Sequence, residues 1–422
     1  MFRDRPRSLS AALAATLVIA SSALLAWAVF RLHSSAGARS DPHPQTSGGN
    51  GAGSRSAPGT GTGTGGTRST DQAGSGNRSS DRSGDRASTP PVIANGDQLW
   101  AGAPLNGIHQ DQGISIALPG GRTLWIFADT FQRPGPPRFF VTSAAAVTNP
   151  GSWRLNYAST AAGTPVEFLP RTAAEKADAQ PGEHYQAVWP TGATQLPDGR
   201  VIISYARYRV QLLTKDYQFL GAGLYEYRYR DLDGLLDGGQ ARRIGSDLWG
   251  PGDGGEVRSP VYAGGYVYFD QCQDLRCYPV RSTPAGLTNR ASYRWWTGIG
   301  WSGNRDQHQA IVVGSSHPGG NASVVRLGSG GYAMADTEIG MVSGTGLLWV
   351  SPHPWGPWSR AVSFTFPNCP PVGCYGLNIH PSQSSADQIR ISYATGGGLP
   401  VVRVYDVPVV IGADAASIRI RY

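Results

Sequence analysis

The chain of 422 residues carries 36 Lys and Arg against 29 Asp and Glu, yet its first 90 residues hold ten Arg and five Asp, leaving 26 basic and 24 acidic side chains for the rest. The remainder is close to neutral and has no basic stripe interleaved with aromatics, which argues against a nucleic-acid partner despite the high whole-chain pI. Neither a Gly-x-Ser-x-Gly elbow nor a phosphate-cradling loop with Lys occurs in it, which disfavours serine-hydrolase and nucleotide chemistry.

The chain begins with a basic flank, Phe2-Arg3-Asp4-Arg5-Pro6-Arg7, followed by an uncharged Ala/Leu/Val-rich run from Ala11 to Phe30. A run of this length matches the roughly 20 residues that span a bilayer. Arginines on its N-terminal side keep that end in the cytoplasm, so residues 1–33 are expected to form a single transmembrane signal anchor with the rest of the chain outside. Ala26-Trp27-Ala28 has the small-x-small form of a cleavage site, which leaves a cleaved signal peptide as the rival reading. Residues 34–90 are Gly, Ser, Thr, Asn, Asp and Arg with almost no apolar residue, a composition that cannot offset its own ordering entropy. They are expected to be a disordered linker spanning about 40 Å as a coil, enough to let a domain work in a cell wall while rooted in the membrane.

The body, residues 91–422, shows no long helical periodicity. Its first element is a β-hairpin, Gln110–Leu118 and Thr123–Thr130, reversed at Pro119-Gly120-Gly121-Arg122. Asp111 begins the first strand and Asp129 ends the second, so both emerge at the open end. A three-residue loop places them directly opposite, whereas a two- or four-residue loop makes them diagonal neighbours. Paired carboxylates at one mouth are what glycoside hydrolysis uses, one to protonate a leaving oxygen and one to attack carbon or activate water. Asp also ends strands as plain turn chemistry.

The hairpin recurs at Val188–Ala206, Ser259–Asp270, Ser323–Asp336 and Asn378–Tyr393, with further strands such as Tyr225–Arg230, Leu347–Val350 and Val401–Tyr405 between. Repeats of this size over about 320 residues predict an all-β, five-bladed β-propeller. A β-sandwich with long loops is the alternative, and it does not account for the repeating hairpin. In a propeller, the starts of the inner strands and the ends of the second strands share one end of the channel. Candidate substrate-binding residues there are His109, Gln112, Gln186, Trp189, Thr191, Arg258, Ser259, Asp336, Asn378 and His380, a mixture able to bind hydroxyls and to stack a sugar ring. Glu256, at the start of an inner strand, is a candidate third acid, with an ion pair to Arg258 or Arg242 as the competing role.

The four cysteines form two close pairs, Cys272/Cys277 and Cys369/Cys374. Two local disulfides are expected in an oxidising compartment, with a four-thiolate zinc site as competitor. No Asp-rich loop of EF-hand spacing announces a metal, and no cofactor is expected. Asn321-Ala322-Ser323 has the form of a glycosylation acceptor.

Asp111-Gln112-Gly113-Ile114, Phe127-Ala128-Asp129-Thr130-Phe131, and in the last blade Tyr375-Gly-Leu-Asn-Ile-His380-Pro with Ile391-Ser-Tyr-Ala-Thr395 together resemble a family of secreted five-bladed propellers formerly of unknown function and now grouped with bacterial endo-D-arabinanases. The likeness runs from about Asn95 to Val409. It implies that Asp111 and Asp129 are the family's paired acidic positions and that the substrate is a cell-wall polysaccharide of the D-arabinan type, cleaved internally by a monomer. Two departures, Ala128 for the usual Gly and Gln112 for the usual apolar residue, leave both carboxylates in place and bear on substrate preference. A non-catalytic propeller binding a wall glycan or protein through the same funnel, and a purely structural wall protein, are the competing readings.

Overall fold

The structure is a computed structural model that describes residues 99–101, 107–132, 139–214, 216–229, 239–273, 276–311, 323–328, 330–338, 343–385, 387–396 and 399–421. The expected anchor, linker and glycosylation acceptor lie outside the described residues. Among the described residues no helix is long and apolar enough to cross a membrane.

Five antiparallel sheets follow one another along the chain, each a blade, and together they form a five-bladed β-propeller. Blade I consists of Ile108–Leu118, Arg122–Gln132, Ala144–Thr148 and Arg154–Tyr157, with Trp100–Ala101 running parallel to its outermost strand and Phe140–Val141 paired to the second. Blade II is His184–Gln195, Arg200–Gln211, Tyr217–Arg228 and Arg242–Trp249. Blade III is Glu256–Ala263, Tyr266–Gln273 and Arg276–Ser282, extended by the short strands Arg294–Trp296 and Trp301–Ser302. Blade IV is Ser323–Arg326, Tyr332–Thr337, Thr345–Ser351 and Val362–Thr365, and blade V is Cys374–Ile379, Gln388–Thr395, Val402–Ile411 and Ile418–Ile420.

Alternation along the strands buries one apolar set on each blade face, so each pair of neighbouring blades encloses a core. Ile114, Ile116, Leu124 and Ile126 meet Val188, Val201 and Ile203 between blades I and II. Ile202, Leu224 and Trp249 meet Val257, Val267 and Phe269 between II and III. Val261 and Tyr268 meet Met334 and Trp349 between III and IV, while Leu348 and Phe364 meet Ile391 and Tyr393 between IV and V. The ring closes where Trp125 and Phe127 pack on Val402 and Val404. Among the described residues each of blades I and V is built from its own stretch of chain. This last junction is held by Leu99 N–H to Val402 O (3.2 Å), Gln110 N–H to Pro400 O (3.2 Å) and the His380 Nδ1 contact with Ser115 Oγ (2.7 Å). Burying one Leu- or Phe-sized side chain contributes about 1.5–3 kcal/mol against about 1 kcal/mol net for a hydrogen bond, so the apolar seam dominates the closure.

The inner strands are irregular at one level. Register shifts interrupt them at Gln110/Gln112/Ile114 in blade I, Pro190/Gly192 in blade II, Arg258/Val261 in blade III and Tyr375/Asn378 in blade V. Below these bulges the five inner strands line an axial cavity of about 290 Å³, bordered by Ser115, Thr191, Thr194, Ser259, Ser323 and Asn378. Above them lies the end of the channel where inner strands start.

Both cysteine pairs are local disulfides, Cys272–Cys277 across the hairpin of blade III and Cys369–Cys374 at the entry to blade V, and no cysteine is free. This sets aside the zinc alternative.

Candidate active site at the propeller mouth

The first hairpin turns through the three residues Pro119–Gly121. Its register, Leu118 opposite Arg122, Ile114 opposite Ile126 and Gln110 opposite Thr130, is the one that sets Asp111 across from Asp129. The ladder breaks at that level, because Gln112 adopts φ 64° and Gly113 φ 129°. A bulge of this kind re-aims the side chains beside it, and a non-glycine residue in the left-handed region stores about 1 kcal/mol of strain. A Cβ on Gly113 would stand 3.0 Å from Ser392 Oγ and 3.1 Å from Val402 Cγ1, so the residue is also needed where blade V presses against the bulge.

Asp111 and Asp129 are partly exposed but walled by neighbouring blades. Asp129 receives two donors from the inner strand of blade II, Trp189 Nε1–H to Oδ1 (2.7 Å) and Tyr185 Oη–H to Oδ2 (3.0 Å). Asp111 receives one from blade V, Tyr375 Oη–H to Oδ2 (3.2 Å), while its Oδ1 is buried without a hydrogen-bond partner among the described residues. The electrostatics follow this difference. Burial raises the Asp129 carboxyl to about 6, with Trp189, Tyr185 and the Arg171 charge pulling it back down. Burial and then the negative charge of Asp129 push Asp111 well above the usual carboxylate range, against weaker pulls from the Tyr375 hydroxyl and nearby amides. Two carboxyl groups so arranged favour holding one proton between them near neutral pH, with Asp111 raised further than Asp129.

The remaining candidates fall into two sets. Trp189 is at the pair, and its ring also meets Tyr208 and Tyr217 with centroids 5.4 and 5.9 Å apart. Gln112 sits on the bulge, and its Oε1 lies 3.5 Å from Asn378 Nδ2, which also donates to Gly376 O. His109 packs on Phe131 at the start of the same strand. Glu256 is ion-paired to Arg258 and accepts from the Tyr208 hydroxyl, and burial raises its carboxyl although Arg258 opposes this. Arg242, its other expected partner, pairs with Glu226 instead (3.1 Å).

Five residues expected at the mouth lie elsewhere or are otherwise engaged. His380 follows the far end of the last inner strand, fully buried edge-on to Trp125, and burial lowers its imidazole to about 3, so it is neutral. A strand starting at Asn378 would set it at the entrance, but the strand begins at Cys374. Ser259 and Thr191 line the axial cavity below the bulges, with the Thr191 hydroxyl held by Val257 O (2.7 Å). Gln186 is buried, its amide donating to Asp178 (2.8 Å) and accepting from Arg207 (3.4 Å). Asp336 is fully buried in blade IV and accepts from the Thr337 N–H (2.7 Å).

Sequence reasoning does not point to Tyr185, Tyr375 or Tyr217. Each lies at a strand start, and only the fold brings the phenols of Tyr185 and Tyr375 from other blades to a carboxylate. Among the described residues no cluster of three His, Cys, Asp or Glu side chains is arranged to hold a metal ion.

No family model matches the chain, so the family resemblance rests on the motifs alone, and no curated protein matches it in sequence. Solved structures are similar in fold. A Bacteroides ovatus protein named as a hydrolase shares 17% identity over 75% of this chain and 87% of its own, with a TM-score of 0.53. The GH43_1 enzyme of Xanthomonas citri, solved with xylose, gives 12% identity over 76% and 93% at a TM-score of 0.46. The native arabinanase of Bacillus subtilis gives 8% over 71% and 94% at 0.41. The first of these likenesses speaks to the fold alone, and a fold hosts many functions.

Proposed function

We propose that this protein is a glycoside hydrolase that cuts internal furanosidic linkages of a cell-wall polysaccharide, with an arabinan as substrate. The observation that carries the reading is the unequal pair at the mouth: Asp129 accepts from two donors of blade II, Asp111 accepts from Tyr375 alone among side chains, and one Asp111 oxygen is left without a hydrogen-bond partner among the described residues. In this mechanism Asp111 Oδ1–H protonates the glycosidic oxygen as its bond to the anomeric carbon breaks. Asp129 either attacks that carbon or takes a proton from the water that does, and the net reaction adds one water. The aromatic rings around Asp129 supply faces for furanose rings and exclude water from the charge. The choice of D-arabinan rests on the motif resemblance.

We further place the domain outside the cytoplasm and tethered by residues 1–33, a reading supported by the two disulfides and the apolar run. Cell fractionation with external protease tests it, and a mature N-terminus near Val29 would replace the tether by secretion. The activity is tested by reducing-end release from arabinan. Release by wild type and none by Asp129→Asn supports the reading, and the anomer first formed, followed by NMR, tells whether Asp129 acts as nucleophile or base. Retention on arabinan with no release from any furanan would make the protein a glycan-binding propeller.

A further inference from the structure

Blade II is taller than its neighbours. Counted upward from the bulge, its inner strand has five residues above Trp189, whereas blade I has three above Asp111, blade III two above Arg258 and blade V one above Tyr375. At about 3.4 Å per residue the inner strand of blade II therefore runs roughly 7–14 Å further above the bulge than those of blades I, III and V, and its neighbour Arg200–Gln211 and the next strand Tyr217–Arg228 rise with it. The turn between these two carries Leu213, 70% exposed, and Tyr217, 46% exposed. Across from them Phe140 is 42% exposed. Only two other large apolar side chains among the described residues are as open, Ile299 and Leu399. Leu213, Tyr217 and Phe140 thus share the rim between blades I and II.

These side chains are continuous with the carboxylate pair. Phe140 packs edge-on to Tyr185 (5.3 Å between centroids), and Tyr217 packs on Trp189 (5.9 Å). Tyr185 and Trp189 are the two donors to Asp129. Burial and then the charges of Asp129 and Asp111 raise the Tyr217 phenol, so its hydroxyl feels the pair although its ring is open. Open aromatic faces on a raised wall beside a recessed acid pair cost solvation unless something flat and partly apolar covers them. A protein partner seated there would block the mouth, whereas a sugar chain entering it would not.

We infer that Tyr217, Leu213 and Phe140 form a chain-gripping wall that holds sugar residues beyond the cleavage point and makes the site select a polysaccharide over short oligosaccharides. The inference rests on the glycosidase reading for its link to turnover, and binding tests it independently. The probe is arabinan cast in a native gel, with Asp129→Asn as background so that no cleavage occurs. Adding Tyr217→Ala and Phe140→Ala to that background is expected to weaken retardation about tenfold. Ile299→Ala, at an open apolar residue of blade III, leaves it unchanged. In cleavage-competent protein Tyr217→Ala raises KM for polymer by about three- to tenfold, a larger factor than for an arabinotriose-sized substrate. Leu213→Ala, fully at the surface, repeats the effect in smaller measure if the tyrosine variant folds poorly. Retardation unchanged by the double replacement, or absent with the wall intact, overturns the inference whatever the activity. Wall-dependent retardation without cleavage by wild type overturns the enzyme reading and leaves the wall standing.

Discussion

Ala128-Asp129-Thr130 in blade I and Ala335-Asp336-Thr337 in blade IV are the same three residues near the end of a second strand, and the fold puts them to different uses. Asp336 is wholly buried, and the amide of the next residue donates to it. Asp129 is partly open, and its two donors come from 56 and 60 residues away on another blade. The strands inside them differ too. In blade I the inner strand is bulged beside Asp111, whereas the described inner strand of blade IV, Ser323–Arg326, pairs in unbroken register. A carboxylate at a strand end becomes chemically interesting here only when a bulge and a neighbouring blade's donors reach it.

The sharpest way to break that comparison is to exchange charge for amide in both places. Asp111→Asn and Asp129→Asn are each expected to lower arabinan turnover at least about a hundredfold with no loss of thermal stability. Asp336→Ala should leave turnover measurable and lower stability by about 1–3 kcal/mol in denaturant unfolding. If Asp336→Ala abolishes turnover in a protein that unfolds normally, the two triplets are not distinct in kind.

Asp270, the corresponding acid of blade III, extends the series. It is 3% exposed, and burial raises its carboxyl to about 7. A raised carboxyl means that the native state keeps a proton the unfolded chain has released, so stability falls as pH rises from about 4 to about 7 and is level above. Asp270→Asn removes that fall and should be the more stable protein at pH 8 by about 1–3 kcal/mol, read from urea unfolding at pH 4.5 and 8. A variant less stable than wild type at both pH values would show that the Asp270 charge is used.

The disulfides close loops of six residues, for which the loop-entropy relation gives about 2 kcal/mol each, so Cys272→Ser/Cys277→Ser should lower stability by that amount and leave the pH profile of turnover unchanged. The smallest effect concerns tuning. Turnover should rise through about pH 6 as Asp129 ionises and fall on the alkaline side as Asp111 loses its proton. Trp189→Phe keeps a ring and removes one donor to the carboxylate, so the acid limb is expected to move up by about one unit while the alkaline limb stays. An unmoved acid limb would mean that Trp189 positions sugar rather than the charge on Asp129.

Much of this was legible in the chain. Alternating runs bounded by Gly-rich turns recur with blade-sized spacing, and their period of two is a local property that needs no tertiary contact to be read. The close opposition of Asp111 and Asp129 also follows from loop length and register. The two cysteine pairs were legible by proximity. His380 was misplaced because the start of a short inner strand cannot be told from its end when both carry polar residues. Gly113, Gly192 and Gly376 each sat within or beside a predicted strand as a signal for bulges, yet alignment of those bulges at one level is a property of the ring.

The sequence by itself determined the blades, their number and the acid-bearing hairpin, since hydrophobic alternation and turn chemistry act over a few residues. Only the tertiary structure decided which carboxyl is raised further. Tyr185, Trp189 and Tyr375 come to the pair from other blades, and burial among them makes a difference of one donor worth more than it would be in water.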